Sequence, residues 1–334
     1  MFLQTKTFQL SSPEMPSLQR VRQSNSKLKD GPPGLVVVMA GATSGIGEAT
    51  CKALVRHTRR PTVYIVGRNR DRADATIAEL QRSNPSATVR FIASDLTLLK
   101  NVDDVCRQIT QKEAKINLLF TSTGFLSMKG RDETSEGLDK MFSLTYYSRL
   151  RFVAKLLPLL QAAADAKELA RVVSVLGAGT EGKIFTDDLS LKNEANYNLR
   201  TCATQAISMT SLAFEHLAAA HPAISFVHVS PGVVRDTGIM SGMGRFAGPI
   251  FKFLTTLAAP FNISLRESAE RHLCAATGVE LGRGGGDVKA FRLAWNGEPA
   301  GANAAFERCM KNGTGKLVWD HTEQVFEEVC GKAD

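Results

Sequence analysis

Long apolar runs, paired cysteines and concentrated charge are all missing from this 334-residue sequence. Its longest apolar region, from Met240 to Phe261, is broken by Gly242, Gly244, Gly248, Pro249 and Lys252, so an integral membrane span is not expected. The cysteines at positions 51, 106, 202, 274, 309 and 330 include no Cys-x-x-Cys spacing, and His272 and Cys274 stand too isolated for a zinc site. No metal is expected, and scattered thiols suit a reducing compartment. Residues 1–33 are polar and hold no apolar stretch of the kind a secretory signal needs. Glu14 and Asp30 argue against a mitochondrial presequence, which leaves a cytoplasmic location as the expectation. The formal charge of +8 is spread along the chain, without a basic stripe interleaved with stacking aromatics, so nucleic acid is not an expected partner. Neither repeats nor low-complexity tracts occur.

What is present is a regular alternation of short Val/Ile/Leu/Phe runs with amphipathic stretches. This predicts an α/β fold, a doubly wound parallel sheet of the Rossmann type, in a single domain with a C-terminal extension. With 43% hydrophobic residues the chain can bury one large core. The expected boundaries are a polar N-terminal extension at 1–33, the Rossmann-type domain at 34–280 and the extension at 281–334. Within the extension a glycine-rich turn at 282–286, a strand near 290–295 and a helix near 322–329 are predicted.

The most specific signal is the run Leu35-Val36-Val37-Val38-Met39-Ala40, which feeds into Gly41-Ala42-Thr43-Ser44-Gly45-Ile46-Gly47 and then a helix. Glycine is needed where the backbone turns after a strand and where it approaches a pyrophosphate without a Cβ in the way. The following helix has Ile46, Ala49, Ala53 and Leu54 on one face, and a second strand, Thr62–Val66, comes next. At the end of that strand stands Gly67-Arg68-Asn69-Arg70 in place of an acidic residue. A guanidinium suits a 2′-phosphate, so NADP(H) is expected over NAD(H).

With these motifs the sequence resembles the short-chain dehydrogenase/reductase superfamily over about residues 34–280, and in detail, including Tyr146-Tyr147-Ser148-Arg149, a subgroup of fungal secondary metabolism. The resemblance implies cofactor contacts from Gly41, Thr43, Ser44, Gly45, Ile46 and Gly47. It further implies that Asp95 and Leu96 meet the adenine, and that Gly124, Pro231, Gly232 and Val233 also line the cofactor site. It places a substrate lid at 238–265, whose Met and Phe residues suit a greasy pocket wall; a core-packing helix, a dimer contact or a membrane-surface patch are the alternatives.

The same resemblance exposes departures. The family uses a serine after the fifth strand, a Tyr-x-x-x-Lys pair on the next helix and an asparagine on the preceding one. Leu176 and Gly177 stand where the serine would be, Cys202 and Ala206 where tyrosine and lysine would be, and Thr145 where asparagine would be. Tyr197, five residues upstream of Cys202, is the nominated proton donor, although Thr201 rather than a lysine follows it; its alternative is an aromatic packed over the cleft. Ser174 is the nearest hydroxyl to the missing serine, or else a strand residue with a satisfied hydroxyl. The expected activity is an NADP(H)-dependent oxidoreduction of a carbonyl or hydroxyl on a small hydrophobic metabolite. Isomerase, dehydratase or cyclase chemistry on the same scaffold, or a non-catalytic NADP(H)-binding regulator, are the alternatives. A homodimer is left open.

Overall fold

Strand β1 (Val36–Ala40) is buried at every position, with Val36, Val38 and Ala40 in one apolar cluster and Val37 and Met39 in the other. A strand with no solvated face belongs inside a sheet covered on both sides. In the computed structural model, which describes residues 17–234, 263–278 and 290–331, that sheet has seven parallel strands. They are β1, β2 (Thr62–Gly67), β3 (Thr88–Ala93), β4 (Leu118–Thr121), β5 (Arg171–Val175), β6 (Ser225–Val229) and β7 (Ala290–Leu293), in the order β3-β2-β1-β4-β5-β6-β7.

One face carries α2 (Gly45–His57), α3 (Arg70–Ser83) and α8 (Leu265–Thr277). The other carries α4 (Leu99–Thr110), α6 (Ser148–Asp165), which the short α5 (Lys140–Phe142) precedes, and α7 (Leu199–Ala220). Each helix shows why it lies flat on the sheet. In α4, for example, Leu99, Val102, Val105, Cys106 and Ile109 recur at helical spacing and are all buried. Between β1 and β4 the strand order reverses, and the connections diverge to leave a crevice at the C-terminal ends of the strands.

The N-terminal segment contributes α1 (Leu18–Ser26), started by Ser17, whose Oγ accepts from the Arg20 amide at 3.3 Å. The helix docks on α8 through Asn25, whose Nδ2 donates to Oε2 of Glu270 at 2.7 Å and to its backbone carbonyl at 2.9 Å. At the other end β7 joins the sheet beside β6, and α9 (Ala304–Lys311) and α10 (Thr314–Cys330) follow. The strand stops two residues short of the predicted 295 because a turn at Gly297 begins there, with the Ala294 amide donating to the Glu298 carbonyl at 2.8 Å. Helix α10 starts well before the predicted 322, directly after Gly313, which adopts a φ of +67°. Val318, Trp319, Val325 and Phe326 bury its inner face among α4, α6 and α7. The expected lid at 238–265 lies outside the described residues up to 262, as do the glycine turn at 282–286 and residues 1–16.

Candidate active site

The loop after β1 is held from two sides. The Gly41 amide donates to the Val66 carbonyl of β2 at 3.0 Å, and the Ser122 amide beyond β4 donates to the Ala40 carbonyl at 2.9 Å. Gly41 has a φ of +89°, and a Cβ there would lie 2.8 Å from the Thr123 amide nitrogen, so no side chain fits. A Cβ at Gly47 would meet the Gly41 carbonyl oxygen at 2.5 Å and Ser122 Oγ at 2.4 Å. Gly45 begins α2 with a φ of +60°. Ser44 before it is extended and makes no side-chain capping bond, so the first amides of α2 stay open at the positive end of the helix. Thr43 packs its side chain against Gly67, and Ile46 against the apolar cluster under α2. Close backbone approach and open helix amides are what a pyrophosphate requires, so these residues fit the dinucleotide that the loop implies.

At the tip of β2 two arginines have different circumstances. Arg70 lies 5.0 Å over the Phe91 ring and 3.8 Å from Asp74. Arg68 is exposed and has no hydrogen-bond or ion-pair partner among the described residues. Beyond β3, Asp95 uses Oδ1 to accept from the Thr97 amide at 3.0 Å and from Thr97 Oγ1 at 2.9 Å, which fixes the turn into α4; Leu96 is buried. After β6, Gly232 has a φ of +67°, and a Cβ there would come within 2.8 Å of Trp295 Cβ, while Val233 is exposed at the rim. Gly124 follows β4 with no steric demand of its own: a Cβ there would find Thr145 Cγ2 at 3.7 Å and Arg149 Nη2 at 4.0 Å. All these residues lie at the C-terminal ends of the strands, around the crevice.

The other half of the site is organised differently. Cys202 and Ala206 on α7 are fully buried in the apolar cluster that contains Tyr146 and Tyr147. Burial pushes the Cys202 thiol up to about 12, so it is no nucleophile at neutral pH. Thr145 lies in a widened helical turn, Ser143–Tyr147, and donates to the Met141 carbonyl at 2.7 Å. Tyr197 is half-buried at the entrance to α7, and burial first, then Cys202 and Asp139, push its phenol above the ordinary range. Ser174 is wholly buried on β5, where its Oγ accepts from Arg149 Nη1 at 2.8 Å. A cavity of about 630 Å³ opens beside Tyr197, walled by Leu126, Met128, Leu199 and Ala203, with Lys129 and Arg200 at its border.

Comparison with known proteins gives the lineage. Residues 35–245 match the short chain dehydrogenase family. The chain belongs to that family. Among its curated relatives, Oxidoreductase AN1596 of Emericella nidulans is 39% identical over 94% of this chain and 99% of its own length. Oxidoreductase andH of Emericella variicolor is 37% identical over 96% and 99%. The NADPH-bound carbonyl reductase from chicken fatty liver shares the fold, with a TM-score of 0.57 at 18% identity, over 80% of this chain and 99% of that one.

As a short-chain dehydrogenase the protein is an oxidoreductase that binds a nicotinamide cofactor. Within the family's frame, two site residues escape sequence reasoning, Arg149 and His228. The tetrapeptide Tyr146–Arg149 stands out only as a subgroup feature, and an arginine within a helix gives no sign that its head will end up buried. The guanidinium of Arg149 reaches from α6 to the ends of β4 and β5, donating to Ser174 Oγ and to the Val175 carbonyl, each at 2.8 Å, and to the Thr123 carbonyl. His228, the register partner of Ser174 on β6, is bonded through Nδ1 to Ser211 Oγ at 2.7 Å, and Ser211 donates in turn to Glu181 at 2.7 Å. Burial, with Arg149 and Arg292 nearby, lowers the His228 pKa to about 3, so the ring is neutral. Among the described residues no group of three or more His, Cys, Asp or Glu side chains is placed to hold a metal, and no helix is long and apolar enough to cross a membrane.

Proposed function

We propose that this short-chain dehydrogenase uses NADP(H) to interconvert a carbonyl and a hydroxyl on a small hydrophobic metabolite, in the cytoplasm and in secondary metabolism. The observation that carries the cofactor choice is Arg68, an open guanidinium at the tip of β2 beside a glycine cradle, while its neighbour Arg70 is already engaged. In this reading the loop residues Gly41, Thr43, Ser44, Gly45, Ile46 and Gly47 hold the pyrophosphate. Asp95 and Leu96 border the adenine, and Gly124, Pro231, Gly232 and Val233 border the nicotinamide half. The bound cofactor supplies hydride chemistry; the protein supplies position and a proton. Tyr197, at the edge of the apolar cavity, is the proton donor of the proposal, and Ser174 acts by orienting Arg149. The apolar walls of the cavity support a hydrophobic substrate.

A second reading, non-redox chemistry or cofactor-dependent regulation, draws on the burial of Cys202 and Ala206, which leaves α7 without a proton relay. NADPH deuterated at the transferable position, incubated with a panel of ketones, separates the readings. Deuterium in the product alcohol is the expected result. Substrate conversion without cofactor oxidation establishes an isomerase, dehydratase or cyclase, and tight NADPH binding without conversion establishes a regulator.

A further inference from the structure

Several arginines packed into this fold find carboxylates. Arg151 grips Asp103 with two contacts at 2.6 Å, and Arg292 meets Glu181 at 3.0 Å. Arg149, two residues before Arg151 on the same helix, is buried to 3% exposure with no acidic partner among the described residues. Its acceptors are neutral, one hydroxyl and two main-chain carbonyls, and its Nε has no hydrogen-bond partner among the described residues. His228, the register partner of Ser174 on β6, is neutral and adds no compensating charge. Keeping a cation in such a place is expensive unless something outside the resting protein makes use of it.

The location suggests what that is. Thr123 and Val175 lie at the C-terminal ends of β4 and β5, and Arg149 Nη2 sits 4.0 Å from where a side chain on Gly124 would begin. These are the strand ends that border the nicotinamide half of the site in the proposed function, on which this inference rests. We propose that Arg149 is a positioning residue that supplies, from α6, the fixed positive charge that α7 lacks at Ala206, and that it biases the site toward the reduced cofactor.

The bias follows from charge alone. An oxidised nicotinamide ring is cationic and a reduced one is neutral, so a buried guanidinium at these strand ends would penalise only the oxidised form. Unit charges about 10 Å apart in an effective dielectric of about 20 shift an equilibrium roughly tenfold. The same field favours the negative charge that builds on a carbonyl oxygen as its carbon accepts hydride. Burial pulls the Arg149 pKa down to about 9, which keeps the group charged at neutral pH.

Equilibrium binding of NADP⁺ and of NADPH, by calorimetry and by NADPH fluorescence, tests this without any substrate. The wild-type protein should bind NADPH at least about tenfold more tightly than NADP⁺. In Arg149→Met the ratio should collapse toward one, and Arg149→Lys should retain most of it. A ratio near one in the wild type overturns the proposal even if Arg149→Met does not fold. So does an undiminished ratio in Arg149→Met, which would reduce the residue to a tie between strand ends. A wild-type protein that binds neither form overturns the underlying cofactor reading instead, and this proposal with it.

Discussion

Replacing Arg68 by alanine should change which cofactor the protein prefers while leaving its fold untouched. The side chain is exposed and touches no charged or hydrogen-bonding partner among the described residues, so its removal should move stability by less than about 0.5 kcal/mol. Against a 2′-phosphate the guanidinium offers charge-assisted, bidentate bonds, and hydrogen bonds to charged groups contribute about 1.5–3 kcal/mol. Solvent around an exposed site places the expected loss at the lower end, about 1.5–2 kcal/mol, which is roughly a ten- to thirtyfold weaker Kd for NADPH. NADH has no such phosphate, so its Kd should stay within about twofold, and Arg68→Glu should lose NADPH further while giving the ribose hydroxyls an acceptor. Arg70→Ala is the matched control: Arg70 is spent on Phe91 and Asp74, so its loss should weaken both cofactors little and equally. Titration calorimetry of the wild type and the three variants with both cofactors reads all of this. If Arg68→Ala weakened NADPH and NADH by the same factor, the phosphate-binding role would be refuted.

Gly47→Ala should cost about 1–3 kcal/mol in urea unfolding and abolish measurable cofactor binding, because the new methyl collides with the Gly41 carbonyl, which is backbone and cannot step aside. Arg292→Met should cost about 3–5 kcal/mol by the same assay, since it strands the carboxylate of Glu181 inside the protein and removes a guanidinium stacked 4.0 Å above Phe306. Glu270, which anchors α1, has its pKa held below the ordinary carboxylate value by His57 and then by Asn25. A depressed folded pKa means that this contribution is complete above the unfolded Glu pKa and is lost as pH falls through the folded one. Thermal melts should therefore show a steeper acid limb in the wild type than in Glu270→Gln, and a mild-acid limb unaffected by the substitution would show that the anchor carries no charge.

Much of the frame is legible because its signals are local. The strand Val36–Ala40 declares itself by an unbroken apolar run, and Gly41 and Gly47 by their spacing, since both positions exclude a Cβ. Helix α1 is harder to see: its only buried apolar side chain is Val21, and the bonds from Asn25 reach Glu270, 245 residues away. Helix α10 is legible only in its second half, because its start depends on Gly313 in a left-handed conformation and on packing against α7. The catalytic half of the site is legible as a set of departures, at Leu176, Cys202 and Ala206. What replaces them is not, because the environment of Arg149 is made by two strand ends that no sequence window brings together.

Under the proposed function, these residues favour proton donation over proton abstraction. Burial and the neighbouring Cys202 and Asp139 hold the phenol of Tyr197 in its protonated form, and Ala206 on α7 offers no cation to draw its proton away. Such a group is a poor base toward an alcohol at neutral pH. It remains a competent acid toward an alkoxide, which is more basic than any phenolate. Arg149 acts in the same sense, since its charge opposes an oxidised ring and supports an oxyanion. On the proposed roles of Tyr197 and Arg149, a site that can give a proton but hardly take one, over a cofactor favoured in its reduced state, suits reduction. Tyr197→Phe should therefore slow carbonyl reduction by about two decades or more, with cofactor Kd unchanged, in a stopped-flow assay of NADPH oxidation under saturating ketone. An undiminished rate would mean that the proton comes from elsewhere, leaving Arg149 as the only contribution of this half of the site to the chemistry.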